Sequence, residues 1–123
     1  MIGAFYRAFD RRGHGFLESV YREALRRELR KLGLQVEAEV LVEAWDDGAV
    51  VGRFRVDLLV EGRLIIEIKA GDRLDPSARR QLHDYLRCCD HERGLVLHFG
   101  PKPRVQRVIH TSNAGRSQAS DPR

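Results

Sequence analysis

Residues 56–70 read VDLLVEGRLIIEIKA. Two apolar runs flank Glu61-Gly62-Arg63, so the stretch reads as strand, glycine-containing turn, strand. The second run, residues 64–70, is apolar on both faces apart from two residues, as a central strand covered on both sides would be. Those two are Glu67 and Lys69. At i and i+2 both side chains leave the same face, while Ile66 and Ile68 point the other way. Asp57 sits in the preceding strand. With a three-residue loop, Val60 faces Leu64 and Asp57 faces Glu67, and directly opposed residues share a face. A two-residue loop would put Asp57 on the other side.

The neighbouring segments frame this hairpin. Downstream, Asp75-Pro76 is a helix-start signal. The helix is expected to run to about Cys89, with Ala78, Leu82, Tyr85, Leu86 and Cys89 inward. Residues 94–99 (GLVLHF) read as a fourth strand, and residues 104–110 as a short edge strand or a helical turn. Upstream, Asp46-Asp47-Gly48 suits a tight type I′ hairpin. Before it, Val36, Ala38, Val40 and Val42 alternate with Glu37, Glu39, Leu41 and Glu43, a period of two. Residues 16–33 carry a helical stripe of Leu17, Val20, Tyr21, Ala24, Leu25, Leu29 and Leu32. In that helix Glu18→Arg22 and Glu23→Arg27 are set for i,i+4 pairing. Ile2, Phe5, Tyr6 and Phe9 give a shorter helix before it. The order predicts an α/β fold, a mixed central sheet of about four strands flanked by helices. One domain is expected over residues 1–110, with 111–123 a polar tail expected to be disordered.

Composition narrows the class. The net charge is +4, 33% of residues are charged and 42% are hydrophobic, which excludes an acidic disordered chain and allows a core. No apolar run approaches the ~18–20 residues of a membrane span, and the first residues do not form a secretory signal. Cys88 and Cys89 are adjacent, a poor geometry for a disulfide, so a reducing, cytoplasmic setting is expected. Of 22 basic residues only Lys31, Lys69 and Lys102 are lysines.

Burying an unpaired charge is expensive, so Glu67 and Lys69 need compensation. A salt-bridge network of Asp57, Lys69 and Glu67 would supply it; so would a bound cation, or simple exposure. Two close carboxylates repel unless a cation sits between them, and hard oxygens suit Mg²⁺ or Mn²⁺. The Ile68 carbonyl could serve as an extra ligand. A lysine beside such a metal can position or deprotonate a water; an arginine cannot do the second.

Asp57, nine intervening residues and Glu67-Ile68-Lys69 resemble the signature of the PD-(D/E)xK nuclease superfamily. Gly15-Phe16-Leu17-Glu18-Ser19-Val20-Tyr21 has the form GxxExxY, which resembles the small bacterial family of that name within the superfamily. The likeness spans roughly residues 1–110. It implies a restriction-endonuclease-like core and a nuclease hydrolysing phosphodiesters, with DNA favoured over RNA. It implies metal ligation by Asp57 and Glu67, joined by Glu18, and a water-orienting, phosphate-steadying role for Lys69. Gln81 and Tyr85 match a QxxxY pattern and share a helix face, placing them at the metal shell or the nucleic-acid strand. Val56 stands where the superfamily's name has proline.

Other residues carry weaker signals. Arg79, Arg80, Lys102, Arg104 and Arg107 could neutralise phosphates. Tyr21 is expected in the core, with its hydroxyl available to orient Glu18. Gly13-His14-Gly15 reads as a turn more than a phosphate cradle; His14 is the histidine nearest the motif, and the other four lack ligand spacing. The rival to an enzyme is a non-catalytic nucleic-acid-binding or protein-interaction module on a nuclease-like scaffold. So small a chain also invites a homodimer or a partner protein to grip the substrate.

Overall fold

The hairpin of residues 56–70 sits in the middle of a five-stranded sheet. A computed structural model describes residues 1–13 and 15–111. The expected tail, apart from Thr111, and His14 lie outside the described residues. The elements are α1 (Ile2–Arg12), α2 (Glu18–Lys31), β1 (Val36–Asp46), β2 (Ala49–Val60), β3 (Leu64–Ala70), α3 (Ser77–Arg87), β4 (Arg93–Phe99) and β5 (Pro103–Ile109). The strand order is β1-β2-β3-β4-β5. Among the described residues only β3 and β4 run parallel, joined through α3; the other neighbours are antiparallel. The sheet is therefore mixed, as expected, but has five strands. The segment whose sequence suits either an edge strand or a helical turn is β5, paired with β4 from Arg93↔Ile109 to Phe99↔Pro103.

The loop chemistry sets the register. Val60 pairs with Leu64 across the three-residue loop, as the central glycine suggests. Asp46 pairs with Ala49, and Asp47 and Gly48 both have positive φ (51° and 77°), as a type I′ turn requires.

Alternation then divides the core in two. On one face α1 and α2 press Phe5, Tyr21, Leu25 and Leu29 onto Leu58, Ile66, Ile68 and Phe99. Tyr21 is fully buried, its ring stacked 4.1 Å from that of Phe99. Burying a side chain of this size contributes roughly 1.5–3 kcal/mol. On the other face α3 sets Ala78, Leu82 and Leu86 over Val56, Ile65 and Val96. The Tyr21 hydroxyl does not meet Glu18. It donates to the Gly13 carbonyl and accepts from the Phe16 N–H, pinning the loop before α2. Asp75 caps the approach to α3, its Oδ1 accepting the Ser77 N–H at 2.9 Å. Among the described residues no helix is long and apolar enough to cross a membrane.

Candidate functional site at the carboxyl end of β3

The β2–β3 ladder stops early. Its last pair toward the β3 carboxyl end is Leu58↔Ile66, one step short of Asp57 and Glu67. Opposite Asp57 on the other side, the β1–β2 ladder also skips a pair, at Glu39, whose φ is +54°. Asp57 stands where these strands part. Its Oδ2 accepts the Ile68 N–H at 2.7 Å, taking the place of a strand-to-strand bond. In extended backbone the N–H and C=O of one residue point to the same side, so the Ile68 carbonyl also leaves β3 toward β2. The Asp57 Oδ1 lies 3.5 Å from Arg22 Nη1.

Glu67 has no such support. It stands on the α3 side of β3, and among the described residues its buried Oε1 has no hydrogen-bond partner. Burial, first, then the Asp57 charge and a hydrogen bond from the protonated Glu67 carboxyl to the Asp57 carboxylate push its pKa up to about 8. Glu18 adds slightly to that rise, and Lys69 opposes it without reversing it. Among the described residues Lys69 makes no ion pair within 4.0 Å. The Asp57–Lys69–Glu67 network is therefore not formed; Asp57 pairs with Arg22 instead.

Glu18 reaches the same end of β3 from α2. Its Oε2 accepts the Ala70 N–H at 3.2 Å, so it does not pair with Arg22 as helix spacing suggests. Tyr85 arrives from α3, its ring stacked 4.0 Å from that of Phe54. Burial raises the Tyr85 phenol, and the nearby Glu67 charge raises it further. Gln81, one turn earlier on α3, is exposed. Arg80 and Lys102 are exposed, the latter in the turn after β4, at the same end of the parallel pair as Lys69. Arg79 leans the other way, donating to the Arg107 carbonyl on β5 at 3.4 Å.

The structure thus brings Asp57, Glu67, Ile68, Lys69 and Glu18 to one end of β3, with Tyr85 beside Glu67. Gln81, Arg80 and Lys102 are exposed, and Arg79 is bound to β5. One buried residue here has only a faint sequence signal. His98, 2% exposed, donates from Nε2 to the Gly71 carbonyl at 2.8 Å and so holds the loop that follows Lys69. A polar residue inside the apolar run GLVLHF is the same kind of signal that marked Glu67.

A metal ion can be tested against these donors. A buried, unpartnered carboxylate oxygen beside a second carboxylate suits a hard dication, which removes the repulsion. Among the described residues no three His, Cys, Asp or Glu side chains form a ready cluster. The donors present suit a hard dication that takes few protein ligands and keeps several waters.

The sequence profile of the PD-(D/E)XK nuclease superfamily matches residues 1–108. The chain belongs to that superfamily, and its mixed sheet flanked by helices is the restriction-endonuclease-like fold. Among solved structures it is similar to one described as "Crystal structure of SSO0001", at 18% identity and a TM-score of 0.49. The likeness covers 94% of this chain and 66% of that one, so the chain spans just under two thirds of its length. No curated protein matches.

Proposed function

We propose that the protein is a Mg²⁺- or Mn²⁺-dependent nuclease of the GxxExxY branch, acting on DNA in the cytoplasm, as a single domain over residues 1–110. The observation that carries the reading is the Glu67 Oε1, buried without a partner beside Asp57. An isolated structural carboxylate in that position would be a standing cost; a ligand oxygen awaiting a cation would not.

Asp57, Glu67 and the Ile68 carbonyl would hold the ion, with Glu18 close enough to join through water. When bound, such an ion supplies Lewis-acid stabilisation of phosphoryl charge and an acidified water. Lys69 is half-buried and among the described residues makes no ion pair, so its ammonium is available to orient the attacking water and to donate to a phosphate oxygen. Tyr85 and Gln81 face the nucleic-acid strand from α3, while Arg79, Arg80 and Lys102 contribute long-range attraction to its phosphates. A homodimer or a protein partner would extend a grip that one small chain provides poorly.

The test combines calorimetric titration of Mn²⁺ with incubation on linear, circular and single-stranded DNA, with and without chelator. Binding of Mn²⁺, and cleavage that requires it and is lost in a folded Lys69→Ala variant, are the expected results. A wild-type protein that takes up no Mn²⁺ would overturn the reading and leave the non-catalytic module.

A further inference from the structure

Glu18 and Arg22 sit at i and i+4 on α2 in the order that normally forms an ion pair. They do not pair. Glu18 is spent on the Ala70 N–H. Arg22 reaches across the opening between strands, with Nη1 3.5 Å from Asp57 Oδ1 and Nη2 3.7 Å from Glu39 Oε1. Its side chain is 21% exposed, against 49% for Arg7 and 61% for Arg11. A guanidinium that well shielded interacts more strongly with its neighbours than a surface one.

The second anchor is independently unusual. Glu39 adopts φ +54° in the middle of β1, directly across from Asp57, and interrupts the ladder there. A non-glycine residue in that region costs free energy, and such outliers concentrate where a side chain must be aimed. Here the aim is Arg22.

The Asp57 oxygens are consequently both engaged, Oδ2 by a backbone N–H and Oδ1 by Arg22. A dication at Asp57 and the guanidinium draw on the same carboxylate, so each weakens the other. We propose that Arg22 is a phosphate-contacting residue of the site. It rests on Asp57 while the site is metal-free, yields that carboxylate to the metal, and turns its fork to the phosphodiester with Glu39 as its remaining anchor. The planar fork of arginine suits two phosphate oxygens in a way a lysine cannot reproduce. This inference rests on the metal-dependent nuclease reading, and its test separates the two.

The experiment titrates Mn²⁺ into wild-type protein, Arg22→Met and Arg22→Lys without nucleic acid. It then measures binding of a short DNA duplex across a salt series, with Ca²⁺ and with chelator. Arg22→Met is expected to bind Mn²⁺ several-fold more tightly. With Ca²⁺ it should bind DNA about tenfold more weakly, with a salt slope lower by about 0.9, the share of one phosphate. With chelator it should match the wild type, because Arg22 is then held on Asp57. Arg22→Lys should recover the salt slope and only part of the affinity. Unchanged Mn²⁺ affinity in Arg22→Met, or a DNA defect equal with and without Ca²⁺, overturns the proposal. A wild type without Mn²⁺ affinity would instead sink the nuclease reading beneath it. Should Arg22→Met fail to fold, Glu39→Gln serves. Deprived of its second anchor, Arg22 then leans harder on Asp57, and Mn²⁺ must bind more weakly; equal or tighter binding counts against the proposal.

Discussion

Glu28 and Glu67 are both glutamates withdrawn from water, and their surroundings are opposite. Glu28, its side chain 8% exposed, sits between α1 and α2 with Arg7 at 3.3 Å, Lys31 at 3.4 Å and Arg11 at 3.6 Å. Burial pushes its pKa up, but hydrogen bonds from Arg7 and Lys31 outweigh it and leave the carboxyl below its ordinary value. Glu67 has a like charge beside it, one lysine at longer range and an unpartnered oxygen. The first carboxylate has its cationic partners within the protein; the second, on the reading proposed above, is the one that would take a cation.

The largest expected difference is in metal uptake. Glu67→Gln should abolish the heat of Mn²⁺ binding and any Mn²⁺-dependent DNA hydrolysis. Glu28→Gln should leave both intact and lower the midpoint of thermal unfolding, since three cations lose their shared partner. Loss of Mn²⁺ binding in Glu28→Gln, with the fold retained, would erase the distinction.

Stability against pH should differ next. Between the ordinary glutamate value near 4.5 and about 8, the unfolded chain has lost the Glu67 proton and the folded metal-free protein still holds it. Unfolding then releases a proton, so rising pH destabilises the fold across that window, by up to a few kcal/mol at ~1.4 kcal/mol per unit. Glu28 has the opposite sign: its depressed pKa stabilises the fold above the ordinary value, and this is lost as pH falls through the lowered one. Urea unfolding of wild type and Glu67→Gln across pH should show the downward slope in the wild type and a flatter one in the variant. Equal slopes would mean that Glu67 is not held protonated.

A smaller change should follow Asp57→Asn. Its amide oxygen can still accept the Ile68 N–H, but the like charge is gone. The Glu67 pKa should drop, with burial, the largest cause, still in place. Carbon-13 NMR of the Glu67 carboxyl reads this directly, and an unmoved titration would remove Asp57 as a cause. The smallest effect is expected from Gln81→Ala. Exposed on α3, Gln81 should leave Mn²⁺ affinity unchanged and weaken DNA binding by about two- to fivefold, the worth of one hydrogen bond. Loss of Mn²⁺ affinity there would move Gln81 into the metal shell.

Much of the architecture is written in short-range chemistry. Asp47-Gly48 and Glu61-Gly62-Arg63 select their turns, and the second turn sets Val60 against Leu64 and so brings Asp57 level with Glu67. A period of two places β1, apolar runs bounded by turns place β2 to β4, and 3.6-residue stripes place the helices. Two polar residues in an apolar strand mark the candidate site, because burying them without purpose costs too much. Residues 104–110 stay ambiguous in sequence because an edge strand such as β5, wet on one side and short, carries too weak an alternation to identify itself.

What the tertiary structure alone decided is which charge meets which. Helical spacing assigns Arg22 to Glu18, yet Arg22 meets Asp57 and Glu39, while Glu18 meets the backbone of β3. Residue spacing brings Glu67 near Asp57 but does not reveal that the Glu67 oxygen lacks a partner, or that Asp57 has one for each oxygen. Turns and periodicity are properties of neighbouring residues, so the chain states them locally. Desolvation and ion pairing depend on what distant segments bring to within a few ångströms, and those distances exist only once α2, β1, β2 and β3 have packed.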